Sequence, residues 1–554
     1  MARSPFLTLG ALFLSSAAGA QVALPMTPID AAQLSSDVKI LSSDEFEGRG
    51  PATRAEKRTT DFIIARMKAE GLRPAGEHGG WTQDVPLARY QVKSPVDVSF
   101  RGHGRVQTLR QSEDIVVDVL RPVDKVAIAD APLVFVGYGV SAPEQGWDDF
   151  KNIDLHGKIA VCLSNDPDFE AKPGDDAYGK FGGARLVYKG RWTYKHEEAA
   201  RRGALGLLII YEPKPVSFSW ETARNSFSNA QFDIVRPDPS TYRPLLQGWV
   251  QRDSVVSMFE SAGLDFETEK QRARSASFNP IVLSGVTLSA HFDVGHSVIT
   301  THNVLGRIQG TSKPGETVLY TAHWDHLGIS VPDAHGETIN HGAIDNASGI
   351  ASLLEIARVF KRDGQPRRSI VFMATTAEEK GLLGAEYYAD HPLNPLATTV
   401  ADINIDALRA YGPARDVSMM GYAESGLSDL WAQLAVAQGR RFTPDANPPA
   451  GSFYRGDQYQ FARVGVPAVG VRSGHDLYQG GISAGEAADR EYIDHRYHQP
   501  SDRWGEDLDF RGTAIDVGLA YQLGRALAMG RQWPDWEVGS EFKSVRDATA
   551  SERK

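Results

Sequence analysis

SIVFMATTAEEKGLLGAEYY, residues 369–388, is an apolar run of strand length that ends in two adjacent acids, Glu378 and Glu379, before a second apolar stretch begins. Residues that are apolar at consecutive positions, rather than alternately, fit a strand buried on both faces of a parallel sheet. TVLYTA (317–322), TTVADINI (398–405) and VPAVGVR (466–472) follow the same plan, each strand ending in polar residues with a helix after it. From about residue 296 onward the chain therefore reads as a doubly wound α/β sheet. Ligands of such sheets gather beyond the carboxyl ends of the strands, and this sequence puts its acids and histidines there.

After TVLYTA comes His323-Trp324-Asp325-His326, in which a histidine could bind a metal while an acid braces an imidazole. GAIDNASG puts Asp345 at a helix start, where it could cap the helix or bridge two cations with its two oxygens. Glu378 and Glu379 would repel each other in one pocket unless a cation neutralised one, leaving the other as a base. Asp406 ends the strand INI, and YHQPSDRW supplies Tyr497, His498 and Asp502. Each residue has an ordinary alternative as a loop or core hydrogen-bonder. Five nitrogen and oxygen donors, three of them at successive strand ends, together point to a metal site.

AHWDHLG, GAIDNASG, TTAEEKGLLGAEYY, the Asp of INID and YHQPSDRW resemble, in order and spacing, the five motifs of the di-zinc aminopeptidase and glutamate carboxypeptidase family. LSSDEFEGRGPATRAEKRTTDFIIARMKAEGL (41–72) resembles that family's first helix, and residues 120–290 look like the protease-associated domain inserted in many members. The resemblance implies a doubly wound mixed α/β sheet of zinc-exopeptidase type carrying a smaller α/β insert. It implies two zinc ions, one on His323 and Asp406, the other on Glu379 and His498, with Asp345 bridging. It further implies Glu378 as general base, Asp325 orienting His323, Asp502 doing the same for His498, and Tyr497 steadying the oxyanion. The implied activity is removal of residues from peptides with a free N-terminus; a carboxypeptidase on the same frame and a glutaminyl cyclase are the alternatives. Two departures concern the substrate pocket: Gly456-Asp457-Gln458 stands where Ser-Asp-His is frequent, and Arg503 where threonine is.

At 554 residues two globular units are expected. The expected division is a signal peptide over 1–20, the peptidase domain's first part over 28–118, the insert over 119–292, the catalytic part over 293–535 and a polar tail over 536–554. The insert shows the strand patterns LVFVGYGV and GKIAVCL and a helix around HEEAARRGA; its residues 217–236 read as a long loop, and no chemistry is expected there. Residues 1–20 begin with Arg3, continue through an apolar stretch and close with Ala18-Gly19-Ala20, the form of a cleaved export signal, so a periplasmic or secreted protein without a membrane anchor is expected. Cys162 is the only cysteine, which excludes internal disulfides and thiolate zinc clusters. A net charge of −11 with no basic run argues against nucleic acid as partner.

Overall fold

The computed structural model describes residues 24–183, 185–420 and 425–553. The expected signal segment lies outside them. Among the described residues no helix is long and apolar enough to cross a membrane.

The four strands read from the sequence form the centre of the catalytic sheet. In spatial order they are Arg368–Thr375, Lys313–His323, Thr399–Ile405 and Ala468–Ser473, all parallel, with Asp416–Met419 antiparallel at one side and Ile281–Ile308 antiparallel at the other. Every residue of Arg368–Thr375 and Thr399–Ile405 is buried, as strands covered on both faces require. Helices Ser348–Arg362 and Phe510–Met529 cover one face. Tyr320 reaches them there, and its hydroxyl donates to the Ala520 carbonyl at 2.9 Å. Gly524 permits this approach, because a Cβ at that position would sit 1.8 Å from the Tyr320 hydroxyl. Thr321, pointing the other way, meets Asp402 and Asn404, and Asn404 donates to Gln458 of helix Gln458–Ala462.

Ile281–Ile308, 28 residues long, runs through two sheets. Its second half pairs with Thr82–Val92 and Arg368–Thr375; its first half pairs with Asp97–Gly102 and Lys125–Phe135. Asp97–Gly102, Arg105–Leu109 and Ile115–Asp118, expected with the peptidase part, therefore join the second sheet, which also contains Ile159–Leu163, Gly206–Tyr211 and Leu246–Gln251, strands expected of the insert. Alternation marks a strand, but not which of two sheets it joins.

Two further expectations change. The segment 217–236 is not one long loop: it contains helix Trp220–Phe227 and strand Gln231–Ile234, which pairs with Thr82–Val92. The C-terminal segment is polar in composition but docked, with Trp536 and Phe542 buried in the main core and the buried Arg546 donating to the Thr399 carbonyl. Cys162 is fully buried, and burial pushes its thiol up to about 12, so it is inert.

Candidate metal centre

Five donors meet in one place, three of them at strand ends. His323 closes Lys313–His323, Glu379 lies just past Arg368–Thr375, and Asp406 follows Thr399–Ile405. Asp345 stands ahead of helix Ser348–Arg362, and His498 comes from the loop after Gly481–His495. Asp345 does not cap that helix: Asn346 Oδ1 accepts the Gly349 N–H at 2.9 Å, which leaves the Asp345 carboxylate turned to the centre.

Asp345 Oδ1 lies 3.2 Å from His323 Nε2, and its Oδ2 lies 3.2 Å from His498 Nε2. His323 Nε2 is also 3.2 Å from Asp406 Oδ1, and His498 Nε2 is 3.0 Å from Glu379 Oε2. One carboxylate thus stands between two imidazole and carboxylate pairs. Tetrahedral zinc with bonds of about 2.0–2.1 Å holds neighbouring donor atoms about 3.3 Å apart, so these spacings fit two such ions. The charge fits as well: Asp325, Asp345, Glu378, Glu379 and Asp406 converge against three imidazoles, a buried excess of negative charge that cations relieve.

The adjacent acids are driven in opposite directions. Burial raises the Glu378 carboxyl well above the usual range; His323 opposes this, while Asp406, Glu379 and Asp457 add to it. Burial also works on Glu379, but the His498 and His326 imidazoles outweigh it and hold that carboxyl below the usual range. Glu378 Oε2 lies 4.0 Å from His323 Nε2 and faces a cavity of about 170 Å³ bordered by Asp345, Asp406, Tyr497 and His498. A larger cavity of about 420 Å³, bordered by residues from 144–189, 442–454 and 536–542, is lined by none of these residues.

The supporting contacts differ from those the resemblance implied. His323 Nδ1 is 3.1 Å from the Asp325 backbone carbonyl but 3.8 Å from its carboxylate, which instead accepts the Glu378 N–H at 3.1 Å. Asp502 accepts the N–H groups of Ile344 and Asp345 at 3.1 Å, and so steadies the backbone at Asp345 rather than His498. His498 Nδ1 meets Ser226 Oγ at 2.7 Å, from the insert segment where no chemistry was expected. The Tyr497 hydroxyl accepts from Arg455 at 3.0 Å, and its ring lies 3.9 Å from that of His498. Asp457, from the departing Gly-Asp-Gln stretch, accepts from Thr375 Oγ1 behind the centre.

Besides Ser226, two residues escaped the sequence reading. His326 Nδ1 lies 2.5 Å from Glu379 Oε1, so Glu379 divides its oxygens between two imidazoles; the histidine three places after His323 was the available signal. Arg49 is fully buried and donates to the carbonyls of Trp324 at 2.9 Å, His341 at 2.7 Å and Gly342 at 2.7 Å, tying both ligand loops together. Nothing local in EGRG marks that role.

Residues 303–514 match the family described as Peptidase family M28. Aminopeptidase NAALADL1 of Mus musculus is 36% identical over 155 residues, 24% of this chain and 19% of the relative. A probable zinc metalloprotease of Pyrenophora teres f. teres is 29% identical over 251 residues, 45% of this chain and 48% of that one. The matched regions thus span less than half the length of these curated relatives. Among solved structures, an aminopeptidase from Aneurinibacillus sp. strain AM-1 has a TM-score of 0.53 at 16% identity, covering 90% of this chain and 94% of its own, a likeness of fold.

Proposed function

We propose, for a chain whose residues 303–514 belong to peptidase family M28, that it is a zinc-dependent exopeptidase removing residues from the free N-terminus of peptides. The observation that carries this reading is Asp345, whose two oxygens each meet a different imidazole at 3.2 Å. His323 and Asp406 would hold one zinc, Glu379 and His498 the other, with Asp345 shared. Ions so held would supply Lewis-acid polarisation of the scissile carbonyl and of a water.

The chain's own groups then move the proton. Glu378, with its carboxyl raised, takes the proton of the attacking water and returns it to the leaving amine. The Tyr497 hydroxyl, held by Arg455, stands ready to donate to the developing oxyanion. Export through residues 1–20 belongs to the same reading, and N-terminal sequencing of the exported chain, expected to start at Gln21, checks it.

A carboxypeptidase on the same frame is the second reading, favoured by one observation. Arg191 and Arg455 line the cavity beside the donors, and among the described residues neither meets a carboxylate within ion-pair distance. Mass spectrometry of a peptide pool containing N-acetylated and C-amidated copies separates the two. Loss from free N-termini alone, abolished by acetylation, supports the aminopeptidase. Loss from C-termini, abolished by amidation, supports the carboxypeptidase, and no cleavage by zinc-loaded protein overturns both.

A further inference from the structure

Helix Trp220–Phe227 of the inserted unit lies directly against the loop that carries His498. Ser219 caps the helix by accepting the Thr222 N–H at 3.2 Å, and Thr222, Ala223, Asn225 and Ser226 form its buried side. Three of these reach the loop: Thr222 Oγ1 donates to the Tyr497 carbonyl at 3.2 Å, Asn225 Nδ2 donates to the His498 carbonyl at 2.9 Å, and Ser226 Oγ meets His498 Nδ1 at 2.7 Å. Ser226 is in turn fixed by its own carbonyl, which accepts from Lys380 Nζ at 3.2 Å and Gln231 Nε2 at 2.9 Å.

His498 needs this support. Its φ of 56° is in the left-handed region, which a side chain other than glycine adopts only where its surroundings over-determine it. Its imidazole must also present a lone pair at Nε2, which requires the proton to sit on Nδ1 and an acceptor to receive it. His323 obtains that acceptor from the Asp325 carbonyl two residues away. His498 obtains it from a hydroxyl 272 positions earlier in the chain, in the other structural unit.

We propose that Ser226, with Asn225 and Thr222, is a positioning element for His498, so that the metal site shared by His498 and Glu379 is complete only when the inserted unit is docked. This rests on the zinc reading above. The insert is then part of the metal centre, beyond shaping its entrance. The Nδ1–H of His498 donates to Ser226 Oγ, which fixes the tautomer, while Asn225 holds the backbone in its left-handed turn. No bond is made or broken.

The test uses the full chain with Ser226→Ala, Ser226→Thr and Asn225→Leu, read by zinc stoichiometry, competition with a chromophoric chelator, and the visible spectrum of the cobalt-substituted protein. Ser226→Ala is expected to keep one ion at wild-type affinity and bind the second about 10–100-fold more weakly, with a changed cobalt spectrum for that ion. Ser226→Thr, which keeps the hydroxyl, is expected to restore both readouts. Asn225→Leu is expected to weaken the same ion and gives a second route should Ser226→Ala fold poorly. Two ions bound by the alanine and leucine variants as by the parent, with an unaltered cobalt spectrum, would overturn the inference alone. A parent chain that binds no zinc would overturn the function on which it rests.

Discussion

Glu378 and Glu379 share a peptide bond, and their surroundings give them opposite tasks. Glu379 is held ionised by His498 and His326, as the ligand role proposed for it requires; Glu378, raised by burial and by neighbouring carboxylates, is suited to the proposed role of accepting a proton. Glu378→Gln keeps the shape and removes the proton acceptor, so kcat is expected to fall about 10²–10⁴-fold with zinc content unchanged, as turnover assays and metal analysis would check. Away from the centre, burial raises Asp149 to about 7 against the N–H groups of Val140 and Trp147 that it accepts. A carboxyl raised in the folded state holds a proton that the unfolded chain has released, so its contribution is full below about pH 4 and is lost as pH rises toward 7. Asp149→Asn is expected to flatten the fall of Tm between pH 4 and 7 relative to the parent, measured by calorimetry.

The elements that were legible in the sequence owe it to local pattern. Arg368–Thr375 is apolar without a break from Ile370 to Ala374 because both faces are covered, Thr399–Ile405 is buried throughout although it carries Asp402 and Asn404, and the acids that follow both strands are visible because a strand end is where polarity returns. Helix Trp220–Phe227 was not legible: its eight residues are mixed in polarity, and its buried side carries Thr, Asn and Ser because it faces a histidine loop rather than a core. The contacts of Asp325 and Asp502 were likewise hidden, since whether a carboxylate reaches a ring or a backbone N–H depends on distances that sequence spacing does not carry. Helix Ser348–Arg362 illustrates a constraint at this scale. A Cβ on Gly349 would stand 2.3 Å from Asn346 Oδ1 and 2.4 Å from the Ile405 carbonyl, so glycine lets the helix start abut the strand that precedes Asp406. Gly349→Ala is expected to destabilise the protein by about 1–3 kcal/mol and to weaken zinc binding, read by denaturant titration and metal analysis.

At the scale of the whole molecule, the two units are joined by more than the metal centre. Arg236 of the insert pairs with Glu386 at 2.9 Å, Lys380 reaches Asn229 at 2.7 Å, and Val85, Leu87, Phe232, Ala377 and Leu383 form a shared apolar cluster. Because donors from both ends of the catalytic part converge on buried carboxylates, stripping metal leaves like charges facing one another. Treatment with a strong chelator is expected to lower Tm, and added zinc to restore it, by about 4 kcal/mol of stability per site at a thousandfold excess over Kd. Scanning calorimetry with and without the chelator checks this.

Ile281–Ile308 passes unbroken from the sheet of one unit into the sheet of the other, with ladder partners along both halves. A jaw that opened about this crossing would have to shear paired backbone on each side, whereas hinges elsewhere use a few unpaired loop residues. The two units are accordingly spliced by a beam. On the exopeptidase reading proposed above, the cavity beside Glu378 would keep its aperture, and a peptide terminus would enter it end-on as into a standing slot.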